Sequence, residues 1–192
     1  RGVKKPNHIR RLEVLRPPMP WHKPRVRENG DDVVVLVHGL WRSLWAMEPM
    51  ARRLHEEGFS TVNFPYASFR FSLDGMAARL LSVVKGYEGR RVHFVTHSLG
   101  GVVARRQSGQ VVPDGMGRVV MLAPPHGGSE IVDWLGKVRM RGVLGPAGRF
   151  LSSDFMQAYV DVVPAEVETA VIMGRRSLLP FFRGVLDAEN DG

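Results

Sequence analysis

A serine stands where a predicted β-strand passes directly into a predicted helix. The run Val92-His93-Phe94-Val95-Thr96-His97-Ser98-Leu99-Gly100-Gly101 is an apolar strand followed at once by small residues. A sharp turn of this kind exposes a serine hydroxyl above the sheet, as a nucleophile requires, and it needs small residues two positions before and after the serine. Gly100 meets that need and Gly101 eases the approach, whereas Thr96 stands where a glycine is usual. A plain N-cap serine at a helix start is the alternative.

A histidine–glycine turn lies about 60 residues before this serine. It follows the first buried strand and reads His38-Gly39-Leu40. In a strand–turn–helix site, the second amide of an oxyanion hole comes from such a turn. The backbone N–H groups of Leu40 and Leu99 are therefore the predicted donors to a developing oxyanion. An ordinary turn is the alternative interpretation, and the matching distance to Ser98 favours the oxyanion hole.

Three segments together resemble bacterial lipases and esterases of the α/β-hydrolase fold. They are His38-Gly39-Leu40, Thr96-His97-Ser98-Leu99-Gly100-Gly101 and Ala123-Pro124-Pro125-His126-Gly127-Gly128-Ser129. Those enzymes commonly show H-G-L or H-G-I, then G-H-S-x-G or A-H-S-x-G, then a loop such as P-H-x-G-S. The resemblance runs from about residue 31 to the end. It implies ester hydrolysis through an acyl-enzyme formed on Ser98, with no cofactor or metal, and supporting roles for His38, Gly39, His97, Gly100, Gly101 and His126.

The acid of the triad is expected after the predicted strand at 167–173, because the order in this fold is serine, acid, histidine. The candidates are Asp187, Glu189 and Asp191. Asn190-Asp191-Gly192 resembles the N-D-G segment that carries the acid in several bacterial lipases, which favours Asp191. A solvated, frayed tail would also contain three acids so close together.

The histidine of the triad should follow Asp191, where only Gly192 remains. His126 is the best rival among the seven histidines, because its loop leaves a neighbouring strand at the carboxyl edge. We expect instead that the chain is truncated before the last strand and helix of the fold, which would bring the histidine. A sheet ending at 167–173 would also leave a long apolar edge exposed.

Strands alternating with helices predict an α/β fold with a mostly parallel sheet and helices on both faces. In such a sheet the chemistry belongs at the carboxyl ends of the strands. Strands are predicted at Val33–Val37, Phe59–Phe64, Val92–Thr96, Val119–Ala123 and Val167–Met173, and helices at 45–57, 72–86 and 99–107. We expect residues 31–192 to form one incomplete hydrolase domain, with an irregular, cap-like segment at 137–164.

Positive charge is concentrated near the start of the chain. The 192 residues carry a net charge of +8, and residues 1–30 hold nine Lys or Arg against two Glu. This segment is predicted to be a basic, partly disordered leader, suited to weak contact with an anionic membrane surface. Trp21 is the only aromatic residue in this segment, and the lack of further aromatic side chains on which bases could stack argues against nucleic-acid binding. The absence of cysteine excludes disulfides and thiolate sites. The sequence favours a soluble protein and leaves cytoplasmic or exported location, and oligomeric state, open.

The substrate is less defined than the reaction. The predicted substrate is a small-molecule or lipid ester, and aromatic and aliphatic residues that follow two strands could line an acyl pocket or belong to the core: Trp41, Leu44, Trp45, Met47, Phe69 and Phe71. An acyltransferase or lipid-remodelling enzyme would share every motif. A catalytically inactive binding module is the alternative if the chain naturally ends at Gly192.

Overall fold

The computed structural model describes residues 23–40, 42–68, 70–108, 115–124 and 167–173. Within these ranges six strands form one sheet: β1 (Arg25–Arg27), β2 (Val33–Val37), β3 (Ser60–Phe64), β4 (Val92–His97), β5 (Met116–Leu122) and β6 (Thr169–Ile172). The helices are α1 (Glu48–Glu56), α2 (Leu73–Val84) and α3 (Leu99–Ser108). Short 3-10 turns at Leu44–Ala46 and Lys85–Tyr87 precede α1 and follow α2.

The sheet is parallel except at one edge, which confirms the predicted α/β class. Its strand order is β1-β3-β2-β4-β5-β6, and only β1 runs antiparallel to its neighbour, β3. Every residue of β2 is buried, because the strand lies in the middle of the sheet with helices on both sides. A run of β-branched residues suits that position.

Helices cover both faces of the sheet, as predicted. On one face α2 and α3 pack against Val33, Val35 and Val37. On the other face α1 packs against Val34 and Leu36. The alternation of β2 side chains therefore divides the apolar core into two layers.

The strand β1 was not predicted from the sequence. Its residues lie inside the segment 1–30 that was assigned to the leader, and they read as charged rather than apolar. Arg25 and Arg27 nevertheless pair in register with Asn63 and Thr61 of β3. Both arginines also donate to the buried carboxylate of Glu48 on α1. Tertiary contacts therefore hold this strand where local pattern gives no signal.

The carboxyl ends of β2, β4 and β5 meet at one edge of the sheet. Val37 pairs with Thr96, and His97 pairs with Leu122. The first residues after these three strands are His38, Ser98 and Ala123. The fold therefore gathers two of the predicted motifs, the His38-Gly39 turn and the Ser98 turn, at a single place.

Candidate active site

Ser98 alone forms the junction between β4 and α3, and its backbone is strained. Its φ is +49°, in the left-handed region that non-glycine residues rarely adopt. The Ser98 N–H donates to the Leu122 carbonyl at 2.9 Å, and the Ser98 carbonyl accepts from the Gly101 N–H at 2.9 Å. The conformation is thus fixed on both sides. Strain of this kind persists where the surrounding structure determines it, and it is common at active sites.

Two glycines let the Ser98 turn and the end of β2 touch. A Cβ atom at Gly100 would lie 2.3 Å from the Val37 carbonyl oxygen and 2.8 Å from that of His38. A Cβ atom at Gly39 would lie 2.8 Å from His97 Nδ1 and 3.1 Å from Ser98 Cβ. Neither position has room for a side chain. Gly39 and His97 thus bring the His38-Gly39 turn against the nucleophile candidate.

His38 is a fixed part of the turn. It is 1% exposed, its Nδ1 lies 2.9 Å from the Gly39 carbonyl oxygen, and its Nε2 accepts from the Tyr66 N–H at 3.4 Å. This pattern requires the proton on Nδ1. Burial lowers the pKa of His38 below its usual value, although the backbone bonds to Gly39 and Tyr66 oppose the shift. A neutral imidazole with both nitrogens engaged cannot also accept a proton from Ser98 without losing these contacts.

The amides of Leu40 and Leu99 are both suited to bind an anion. Leu99 is the first residue of α3, where N–H groups lack an intrahelical acceptor and the helix dipole is positive. The Leu40 amide takes part in none of the backbone hydrogen bonds found among the described residues. The two amides belong to turns in contact through Gly39 and Ser98. This arrangement can stabilise negative charge that develops on an oxygen atom beside the Ser98 hydroxyl.

Thr96 occupies the position two residues before Ser98. It is fully buried, and its hydroxyl has no hydrogen-bond partner among the residues that the structure describes. A Cβ atom at Gly101 would lie 3.4 Å from the Thr96 Oγ1, an ordinary contact. The threonine therefore fits beneath α3, at the cost of an unsatisfied buried hydroxyl.

Several predicted residues lie outside the described ranges. They are His126, Asp187, Glu189 and Asp191, the aromatic residues Trp41 and Phe69, and the cap-like segment 137–164. His93 pairs with Asp32 at 3.3 Å, at the opposite edge of the sheet. The roles of Asp191 and His126 remain predictions.

The residues considered for an acyl pocket divide between core and surface. Leu44 and Met47 are buried, and Met47 belongs to the apolar layer under α1. Trp45 is 59% exposed, with the Arg25 guanidinium 4.4 Å above its ring. Phe71 packs beside the core beneath Arg79. Leu44 and Met47 are therefore core residues, whereas Trp45 lies at the surface.

Tyr66 is a site residue that was not predicted from the sequence. It follows β3 at the same edge of the sheet, and its ring stacks on His38 at a centroid distance of 4.2 Å. Its hydroxyl donates to the His38 carbonyl oxygen. The available signal was position alone, since residues just after a parallel strand lie where sites form.

The described residues contain no group of three or more side chains placed to bind a metal ion. They also contain no helix whose length and hydrophobicity would allow it to cross a membrane.

Similar structures share the fold described above. The mature form of the Bacillus licheniformis lipase BlEst2 aligns with a TM-score of 0.68 and 21% identity, over 81% of this chain and 73% of the lipase. The Legionella pneumophila phospholipase PlaB, in complex with thio-NAD, aligns with a TM-score of 0.61 and 21% identity, over 81% of this chain and 40% of that protein. The metagenomic carboxyl esterase MGS0156 aligns with a TM-score of 0.62 and 20% identity, over 77% and 52% of the two chains. At these identities the likeness establishes the fold.

No curated protein matches the sequence significantly. Residues 34–189, by contrast, match the alpha/beta hydrolase family. The match begins in β2, includes both turns at the carboxyl edge, and covers most of the chain. The parallel sheet, the helices on both faces and the strained serine after β4 agree with it. The chain therefore belongs to the alpha/beta hydrolase family.

Proposed function

We propose that the protein is a serine hydrolase that cleaves carboxylic esters, with Ser98 as its nucleophile. The observation that carries the proposal is the φ of +49° at Ser98, at a strand-to-helix junction of an alpha/beta hydrolase. An N-cap serine adopts extended backbone and needs no such strain. A strained turn that raises the hydroxyl above the sheet is what a nucleophile requires.

The first half of the proposed reaction forms an acyl-enzyme. Ser98 Oγ bonds to the ester carbonyl carbon, the hydroxyl proton passes to a histidine, and the carbonyl electron pair moves onto oxygen. The amides of Leu40 and Leu99 donate to that oxyanion, each contributing about 3–4 kcal/mol of transition-state stabilisation. The intermediate then collapses, the carbon–oxygen bond to the alcohol breaks, and the histidine returns the proton to the departing alcohol.

The second half regenerates the enzyme. Water bonds to the acyl carbon, gives a proton to the histidine, and the resulting intermediate expels Ser98 with its proton restored. Asp191 is proposed to orient the histidine. The hydrogen bonds of His38 exclude it as this base, because its Nε2 accepts from Tyr66 and its Nδ1 donates to Gly39.

A fluorophosphonate probe tests the assignment of the nucleophile. The serine oxygen bonds to phosphorus while fluoride leaves, so the adduct remains on the protein. We expect the added mass on the tryptic peptide 92–105, at Ser98, and hydrolysis of p-nitrophenyl esters when the protein tested includes the triad histidine. The matched controls are Ser98→Ala, which should abolish labelling, and Ser82→Ala on α2, which should leave it unchanged.

The outcomes separate the nucleophile from the rest of the triad. Labelling at Ser98 without ester turnover would support Ser98 and contradict hydrolysis by this chain. Labelling at another serine, or equal labelling of Ser98→Ala, would refute the proposal. A series of acetyl, butyryl and octanoyl esters would rank acyl-chain lengths in an active protein.

A further inference from the structure

We infer that Tyr66 is a positioning residue that holds the oxyanion turn in the geometry needed for reaction at Ser98. The inference rests on the proposed function. It concerns a residue that, in the proposed mechanism, takes no direct part in the reaction. Tyr66 acts instead through His38 and the two peptide groups that follow it.

Three contacts join Tyr66 to the turn. Its hydroxyl donates to the His38 carbonyl oxygen, and its backbone N–H donates to His38 Nε2 at 3.4 Å. Its ring stacks on the imidazole with an angle of 10° between the planes. One residue thus fixes the backbone, the tautomer and the ring orientation of His38.

The geometry of the peptide bond carries this constraint to Leu40. In a trans peptide the carbonyl and the N–H point in opposite directions. His38 Nδ1 donates to the Gly39 carbonyl oxygen at 2.9 Å, and the Arg42 N–H reaches the same oxygen at 3.3 Å. The direction of that carbonyl sets the direction of the Leu40 N–H, which is the proposed oxyanion donor. Releasing Tyr66 would free His38 to turn, and the Gly39–Leu40 peptide with it.

Burial makes the Tyr66 hydroxyl a dependable donor. The residue is buried, and desolvation raises its pKa well above the usual tyrosine value. The hydroxyl therefore keeps its proton over the whole working pH range. Without it the His38 carbonyl would lose a buried partner, since Gly100 packs directly against that oxygen and leaves little room for water.

The test removes one oxygen atom. Tyr66→Phe keeps the ring and its stacking on His38 but loses the donor to the turn. We expect the maximal rate of fluorophosphonate labelling of Ser98 to fall about 10-fold, with the half-saturating probe concentration unchanged. Misplacing a catalytic group by about 1 Å can cost 10²-fold, and this change releases one of several constraints. Tyr87→Phe removes the same atom from a tyrosine at a 3-10 turn away from the site and should leave both constants unchanged.

Hydrogen exchange supplies a second readout that does not depend on reactivity. In Tyr66→Phe the amides of residues 38–42 should exchange several-fold faster than in wild type, while those of β4 should not change. Wild-type exchange in the turn together with a wild-type labelling rate would overturn the inference. A rise in half-saturating concentration alone would also overturn it, because that is a binding effect. Failure of the wild-type protein to label at Ser98 would instead refute the proposed function, and the exchange of the turn would still decide whether Tyr66 holds it.

Discussion

Replacing Gly100 by alanine tests whether the contact between α3 and the end of β2 sets the position of Ser98. The new Cβ would lie 2.3 Å from the Val37 carbonyl oxygen, whereas an ordinary carbon–oxygen contact is about 3.3 Å. Because the obstacle is backbone, α3 must move by about 1 Å. Forcing atoms into a packed site costs about 1–3 kcal/mol, so the variant should fold with reduced stability.

Gly101→Ala is the matched control on the same helix. A Cβ there meets Thr96 Oγ1 at 3.4 Å and Pro124 Cβ at 3.5 Å, which are ordinary contacts. Alanine is favoured over glycine in a helix by about 1 kcal/mol. Because both glycines lie in α3, that gain is common to the two variants, and urea unfolding should separate them by the cost of the clash, about 1–3 kcal/mol, with Gly100→Ala the less stable.

The same displacement of α3 should also move Ser98, the proposed nucleophile. A shift of about 1 Å at the start of α3 can lower reactivity by about 10²-fold, so folded Gly100→Ala should label with fluorophosphonate far more slowly than wild type. Equal stability of Gly100→Ala and Gly101→Ala would refute the packing argument. Reduced stability with wild-type labelling would refute the link between this contact and Ser98.

Three further substitutions test the strain, the buried charge and the unpaired hydroxyl. Ser98→Gly should be about 1 kcal/mol more stable than Ser98→Ala in urea unfolding, because only glycine relieves a positive φ; equal stability would argue against strain. Burial opposes ionisation of Glu48, but hydrogen bonds from Arg27, Arg25 and Asn63 lower its pKa from 4.5 to about 2. At about 1.4 kcal/mol per pKa unit, Glu48→Gln should lower the free energy of unfolding by about 3 kcal/mol above pH 4.5, and the difference from wild type should vanish as the pH falls toward 2. The control is Glu56→Gln, at an exposed position. A difference in the free energy of unfolding that does not change with pH would contradict the stabilisation of the Glu48 carboxylate by these hydrogen bonds. Thr96→Val should raise the free energy of unfolding by about 1 kcal/mol by removing a buried hydroxyl without a partner, and a loss would reveal a role for that hydroxyl.

The centre of the parallel sheet was predictable because β2 and β3 are buried along their whole length and β4 along most of it. An uninterrupted run of β-branched and aliphatic residues such as Val33–Val37 is typical of a strand buried on both faces. The strand β1 was not predictable, because Arg25–Arg27 reads as part of a charged leader. It forms a strand because it pairs with β3 and because its arginines bind the carboxylate of Glu48, a residue more than 20 positions away.

Half of the site followed from local rules and half did not. Ser98 and Gly100 are recognisable because a strand-to-helix turn imposes residue types at fixed positions. Tyr66 imposes no such pattern, since its contacts with His38 depend on how β2 and β3 lie side by side. Asp191 was chosen by resemblance and stays a prediction. Local sequence thus identifies residues such as Ser98, whose type is set by the turn in which they lie. It does not identify residues such as Tyr66, which hold a turn that belongs to another strand.

The strained backbone at Ser98 is held by hydrogen bonds between strands of the sheet as well as by its own turn. Two non-glycine residues among those described have positive φ, Ser98 at +49° and Ala123 at +44°, and each is the first residue after its strand. The Ser98 N–H donates to the carbonyl of Leu122, the last residue of β5, and the Ala123 N–H donates to that of Ile172, the last residue of β6. The ladder thus continues one residue past each strand and holds the strained backbone in place. Because Leu122 directly precedes Ala123, the pairing of β5 with β6 helps to set the backbone geometry of Ser98, the proposed nucleophile.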